Sequence, residues 1–159
     1  MKNNSFNVFE IEDFTNIENV IKRYCLYFDS KKPELLIELF TEDATIDYGP
    51  EVPIIVGKDK LFKMLENGID NFFLDTSHYV SNFIVESYNS NSAKTICYLY
   101  AWHKYKNKTE VGHLWGGYRH EFVKIDNCWK ISKLLLFATG LDNFHRNKMH
   151  SINNQLNEI

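Results

Sequence analysis

Apolar residues recur at Ile17, Val20, Ile21, Tyr24 and Phe28. This i, i+3, i+4, i+7, i+11 spacing marks one face of a helix and predicts a helix over about 15–29. Thr15 with Glu18 three residues later has the form of a capping box at its start. Asp29-Ser30 breaks the run. Pro33 sits where a first helical turn accepts proline, and Leu35, Leu36, Leu39 and Phe40 predict a second short helix. Thr41-Glu42-Asp43 ends it, residues 44–48 read as a short strand, and Gly49-Pro50 turns. Gly57-Lys58-Asp59 introduces a third helix with Leu61, Phe62, Leu65 and Ile69 inward.

Beyond this point the period changes to two. Residues 76–86, 93–105, 110–125 and 129–138 read as four long strands. The turns fall at residues 89–92, 106–108 and 126–127. Connections this short imply antiparallel neighbours. Three helices, one early strand and a four-stranded meander make an α+β pattern. The expected architecture is a cone-shaped, curled, mixed but mainly antiparallel sheet wrapped around three N-terminal helices. It encloses a cavity. One domain is expected over 1–159, with its core at about 13–145 and loosely held ends at 1–12 and 148–159.

Composition narrows the class. At 159 residues the chain is long enough for one buried core, and 44% hydrophobic with 25% charged residues rules out wholesale disorder. A net charge of −3 argues against binding nucleic acid by phosphate neutralisation. No stretch of apolar residues is long enough to span a membrane, and the first residues lack the apolar segment of a signal peptide. Cys25, Cys97 and Cys128 are odd in number and far apart, so neither a disulfide framework nor a CxxC site is expected. A cytoplasmic protein with reduced, mostly buried thiols fits these features. No histidine pattern of a metal site occurs, and Gly-rich phosphate loops and the GxSxG elbow are missing. No metal and no organic cofactor is expected.

Strand alternation places candidate chemistry. His78 shares a face with Val80, Asn82 and Ile84, and His103 with Cys97, Leu99 and Ala101. Tyr98, Tyr100 and Trp102 lie on the opposite face, which suits a helix or a second subunit. Gly116-Gly117 in mid-strand suggests a bulge or a close ligand approach. Two histidines on neighbouring strands suit general acid–base chemistry near neutral pH. Asp29 and Asp47 lie at the ends of buried elements, and a carboxylate there satisfies itself by accepting from a histidine nitrogen, which also fixes the tautomer. His113, His120, His145 and His150 are expected at the surface or without a role.

Four stretches carry a resemblance: Arg23-Tyr24 with Asp29, Leu39 to Ala44 leading to Ile46-Asp47-Tyr48, Thr76-Ser77-His78, and Ile125 to Ile131. The chain resembles the SnoaL-like division of the nuclear transport factor 2 superfamily, from about Ile17 to Phe137, and within it the dehydratase branch. It is similar to scytalone dehydratase in Tyr27-Phe28-Asp29-Ser30-Lys31, in Ile46-Asp47-Tyr48, at His78, and in Trp102-His103-Lys104-Tyr105. It is similar to bile acid 7α-dehydratase in the spacing of Tyr24, Asp29 and His78. A catalytic tyrosine of the first relative falls on Phe28 here, and Tyr24, four residues away on the same helix face, is the candidate to replace its hydroxyl.

The resemblance implies a cofactor-independent dehydratase acting on a hydrophobic cyclic hydroxy-carbonyl or polyketide-like substrate. His78 would be the base, Asp29 would orient it, Tyr24 and Tyr48 would stabilise the enolate, and His103 would serve as a second acid or polar clamp. Phe28, Phe73, Leu74, Trp115, Tyr118, Phe137 and Phe144 are the expected substrate-binding walls. An isomerase or cyclase of a natural-product pathway, or a non-catalytic ligand-binding or dimerisation module, remains the alternative. The aromatic outer face predicts a homodimer or homotrimer.

Overall fold

The computed structural model describes residues 8–156, apart from the side chains of Val8, Phe9 and Asp70. The order is α1 (Val8–Asp29), α2 (Pro33–Ile37), β1 (Phe40–Asp47), β2 (Ile55–Val56), α3 (Lys58–Asn71), β3 (Phe73–Asn89), β4 (Ser92–Tyr105), β5 (Val111–Ile125) and β6 (Cys128–Asp142). The strands form one six-stranded sheet in the order β2-β1-β6-β5-β4-β3. β1 runs parallel to β6 and every other pairing is antiparallel. The sheet curls without closing, and α1 and α3 pack inside it. This is the α+β architecture that the change of period predicts.

Tertiary contacts move two boundaries. α1 begins at Val8 rather than at Thr15. Thr15 is inside the helix, its hydroxyl donating to the carbonyl of Ile11 at 2.9 Å, so it caps nothing. The earlier turn is held through Asp13, whose buried carboxylate accepts from Trp129 Nε1 (2.8 Å), Lys124 Nζ (2.7 Å) and the Tyr88 hydroxyl (2.7 Å). Three donors from three strands satisfy it and fix the helix against the sheet. α2 stops at Ile37, and Phe40 opens β1 instead of closing a helix. There the parallel ladder, starting at Phe40 with Ile131, outweighs local helical spacing.

The meander follows the expected order, with finer breaks. Asp126 and Asn127 both have positive φ (49° and 60°), the conformation that a two-residue hairpin requires. In β3 the pairing jumps from Ser81 opposite Tyr98 to Ile84 opposite Ile96, with Asn82 at φ 51°. This bulge reverses the alternation. Phe83 packs on the core and Ile84 is exposed, so the face led by His78 does not extend to Ile84. A bulge also falls between Trp115 and Gly116. The close approach at these glycines comes from the protein itself. A Cβ on Gly116 would lie 2.0 Å from the Phe137 carbonyl oxygen, and one on Gly117 would lie 2.2 Å from that of Cys97.

The residues after β6 pack back on the sheet as far as Leu156. His150 forms a parallel bridge with Phe137, its carbonyl accepts the Ala138 N–H at 2.9 Å, and its Nε2 meets Asp47 Oδ2 at 2.8 Å. Leu156 covers Leu135 and Phe137 on the outer face of β6. Residues 8–12 likewise belong to α1, while 1–7 and 157–159 lie outside the described residues. Further along the outer face Tyr79 stacks on Tyr100, and Tyr100 and Trp115 flank His113. Among the described residues no helix is long and apolar enough to cross a membrane.

Candidate active site

The inward face of α1 ends with Tyr24 and Phe28, one turn apart, and then Asp29. Asp29 meets the start of β3. Its Oδ2 accepts the backbone N–H of His78 at 2.8 Å, and its Oδ1 accepts the Thr76 hydroxyl at 2.8 Å. The same Oδ1 lies 2.6 Å from His78 Nδ1. Burial resists ionisation of Asp29, but these donors outweigh it and hold the carboxyl below its ordinary range. An ionised carboxylate only accepts, so His78 carries its proton on Nδ1. In the neutral ring Nε2 is then a free base.

His78 Nε2 lies 3.3 Å from His103 Nε2, and when the His78 ring is neutral His103 is the donor in that contact. His103 sits on β4 among Cys97, Leu99 and Ala101, the buried face that alternation predicts. Burial above all, with the competing His78 and His145 rings and the Arg146 guanidinium nearby, pushes His103 down to about 2. The ring is therefore neutral at pH 7 and donates as a neutral group. Its buried Nδ1 has no partner among the described residues.

Tyr48 follows β1 and faces Tyr24, with the two hydroxyls 2.8 Å apart. Burial raises Tyr24 well above the usual phenol range and Tyr48 to about 12. Both stay protonated. Tyr118 also hydrogen-bonds Tyr24, so three hydroxyls share two bonds and one O–H of the cluster is left to donate.

These groups meet in one cavity of about 70 Å³. Tyr24, Tyr48, His78 and His103 line it, with Phe28, Met64, Phe73, Tyr118, Leu136, Phe144, His145 and Arg146. Asp29 stands behind His78. The separations of 2.6 and 3.3 Å along Asp29, His78 and His103 are within direct contact, the arrangement that acid–base work requires.

Of the expected walls, Phe28, Phe73, Tyr118 and Phe144 line the cavity and three residues do not. Leu74 is 46% exposed, because it alternates with Phe73 on β3. Trp115 is 45% exposed and lies against Tyr100 and His113 on the outer face. Phe137 is fully buried, but on the far side of β6 with Leu135 and Leu156; its neighbour Leu136 is the inward one.

Two cavity residues run against the expectation that the remaining histidines lack a role, or were not singled out. His145 shares a hydrogen bond with the Tyr105 hydroxyl at 3.2 Å, and burial with the charges of Arg146 and Lys108 pushes it down to about 3. Arg146 donates from Nη1 to the Tyr48 carbonyl at 2.5 Å. The run Phe144-His145-Arg146, rich in chemistry just past the last strand, was the available signal. His120 is wholly buried beside Tyr118 and Phe122. His113 bonds Tyr100 on the outer face, and Asp47 is occupied by His150 and by the Gly49 N–H. Among the described residues no group of three or more His, Cys, Asp or Glu is placed to hold a metal.

Residues 10–134 match the family model of the SnoaL-like domain. A protein from Novosphingobium aromaticivorans, provisionally named a scytalone dehydratase, has a structure that superposes with a TM-score of 0.84 at 30% identity, over 91% of this chain and 96% of that one. A second protein from that organism, provisionally named an aromatic ring hydroxylase, gives a TM-score of 0.78 at 23% identity over 83% and 93%. The hexachlorocyclohexane dehydrochlorinase LinA-type3 of Novosphingobium barchaimii gives 0.76 at 15% identity over 88% and 95%. The last two likenesses concern the fold alone. No curated protein matches the chain.

Proposed function

The chain belongs to the SnoaL-like family, and on that footing we propose that it is a dehydratase that removes water from a hydrophobic cyclic hydroxy-carbonyl compound by acid–base catalysis. The observation that carries this reading is the 2.6 Å contact of Asp29 with His78 at the wall of a cavity that also holds the paired hydroxyls of Tyr24 and Tyr48. The provisional name of the relative at 30% identity points the same way.

In this mechanism His78 Nε2 removes a proton from the carbon next to the substrate carbonyl. The bonding pair moves into the carbonyl, and the enolate oxygen accepts from the Tyr24–Tyr48 pair. Donors already aimed at developing charge are commonly the largest catalytic contribution. Asp29 stabilises the imidazolium. The enolate then re-forms its carbonyl, expels the hydroxyl from the adjacent carbon, and that hydroxyl takes the proton from His78. Water leaves and His78 returns to its starting state. His103 is a neutral clamp that holds His78 Nε2 in place until substrate displaces it.

Phe28, Phe73, Phe144, Met64 and Leu136 supply apolar walls for a ring. At about 70 Å³ the cavity is far below the roughly 300–1,000 Å³ of sites for drug-sized ligands. A substrate of one or two rings therefore needs the cavity to widen.

The test is to incubate the protein with β-hydroxy cyclic ketones in deuterated buffer and follow products by mass. The expected result is loss of water together with deuterium exchange at the α carbon, both reduced at least 100-fold in His78→Gln, in line with the roughly 10²–10⁴ contributed by a positioned base. Exchange and rearrangement without loss of water would make it an isomerase. Equal rates for wild type and His78→Gln would sink the reading.

A further inference from the structure

We propose that Arg146 makes this cavity a site for a carboxylate-bearing substrate, the guanidinium receiving the carboxylate while His78 works on the ring. The inference deepens the dehydratase reading and rests on the cavity being the substrate site.

Arg146 lies in the cavity wall and is partly buried. Among the described residues it makes no ion pair within 4.0 Å, and its one hydrogen bond is from Nη1 to the Tyr48 carbonyl. Four of its five N–H groups are thus uncommitted. A desolvated guanidinium is costly unless it is matched by an anion.

No wall of the cavity supplies that anion. The Tyr48 hydroxyl stays protonated, and Arg146 lies 5.9 Å from the centre of its ring. Asp29 is already occupied by His78 and Thr76. His103 and His145 are held neutral, partly by Arg146 itself. The carboxylate whose charge reaches Arg146 is Glu51, but it forms no ion pair with it, lies outside the cavity lining and accepts the Asn147 N–H at 2.9 Å, so direct pairing inside the cavity is left for a ligand.

A tie between chain segments does not need this residue. The Tyr48 carbonyl occupies one N–H, and a tie of that kind needs no more. The planar fork of arginine matches the two oxygens of a carboxylate, which neither a ketone nor a hydroxyl does.

The experiment is calorimetric titration of the full chain at pH 7.5 with benzoate and with its neutral isostere benzamide. Wild type is expected to bind benzoate at least about 10-fold more tightly, the yield of one charge-assisted contact. Arg146→Met should bring the two ligands level, and Arg146→Lys should keep part of the preference. His78→Gln should keep all of it while losing α-proton exchange. Equal binding of the two ligands to wild type, failure of wild type to bind benzoate, or a preference that survives in Arg146→Met would each overturn the proposal. Arg146→Lys guards against a folding defect in the methionine variant. If no protein form exchanges protons yet the benzoate preference tracks Arg146, the elimination reading fails and the anion site stands.

Discussion

Asp29 binds His78 twice, through the backbone N–H at 2.8 Å and through ring Nδ1 at 2.6 Å. One carboxylate thus sets where β3 lies against the end of α1 and which nitrogen of the imidazole carries the proton. Position and protonation state cannot be changed independently. Asn in place of Asp29 would still accept the backbone N–H, but it would turn an N–H toward Nδ1. The tautomer should flip. Nitrogen-15 spectra should show His78 protonated at Nδ1 in the wild type and at Nε2 in Asp29→Asn, with turnover reduced by about 10²–10⁴.

The Tyr24–Tyr48 bond joins two buried hydroxyls. Removing either one breaks that bond in a buried setting, at a cost of about 1–3 kcal/mol. Tyr24→Phe and Tyr48→Phe should each lower stability by that amount in urea unfolding. The double variant should lose less than the sum, since the bond the two hydroxyls share is lost only once. Additive losses would mean that the two hydroxyls act independently.

Acid should unfold the protein early. Burial pushes His120 down to about 3 and His103 to about 2. Both titrate near 6.5 in the unfolded chain. Below 6.5 the unfolded state therefore binds more protons and gains population. Stability is complete above pH 6.5 and falls by about 1.4 kcal/mol per pH unit for each histidine on going lower. Asp29 and Asp13, with lowered values, add to the loss only near their own lower range. Urea midpoints at pH 7.5, 6.0 and 5.0 test this, and His120→Gln should flatten the slope by one histidine's share. A stability unchanged from pH 7.5 to 5.0 would refute it.

Legibility in the sequence depended on what each residue answers to. The helix face from Ile17 to Phe28 and the alternation of β4 repeat at fixed periods, so His103 and its buried neighbours could be read directly. Asp29 at a helix end and His78 on a strand face could each be singled out, but their pairing was legible only through motif resemblance, because 49 positions separate them and no local pattern encodes their contact. Parity failed where a bulge intervenes, as at Asn82, or where both faces of a strand are covered, as for Leu136 and Phe137 on β6. Arg146 and His145 stand in an irregular segment, where neither period applies. Their placement follows from tertiary contacts, such as His150 with Asp47, that only the folded chain shows.

Gly117 should tolerate no side chain. A Cβ there would sit 2.2 Å from the Cys97 carbonyl oxygen and 2.4 Å from the Phe137 ring. Both neighbours are locked in the sheet core, so Gly117→Ala should cost about 1–3 kcal/mol or more. Gly140→Ala, whose new atom would meet only the Trp115 ring at 3.5 Å, should change stability by less than about 0.5 kcal/mol. Thermal melts of the two variants provide the comparison.

The parallel pairing of β1 with β6 sets a timetable. Asp47 sits opposite Leu135, and the cavity draws on residues from Tyr24 to Arg146. A chain emerging from the ribosome cannot complete this pocket until nearly all of that stretch is out. Until then Phe40, Thr45 and Ile46 lack their partners on β6, and such long loop closures are slow. The interval in which a chaperone could act on this protein is therefore written into the position of a single strand.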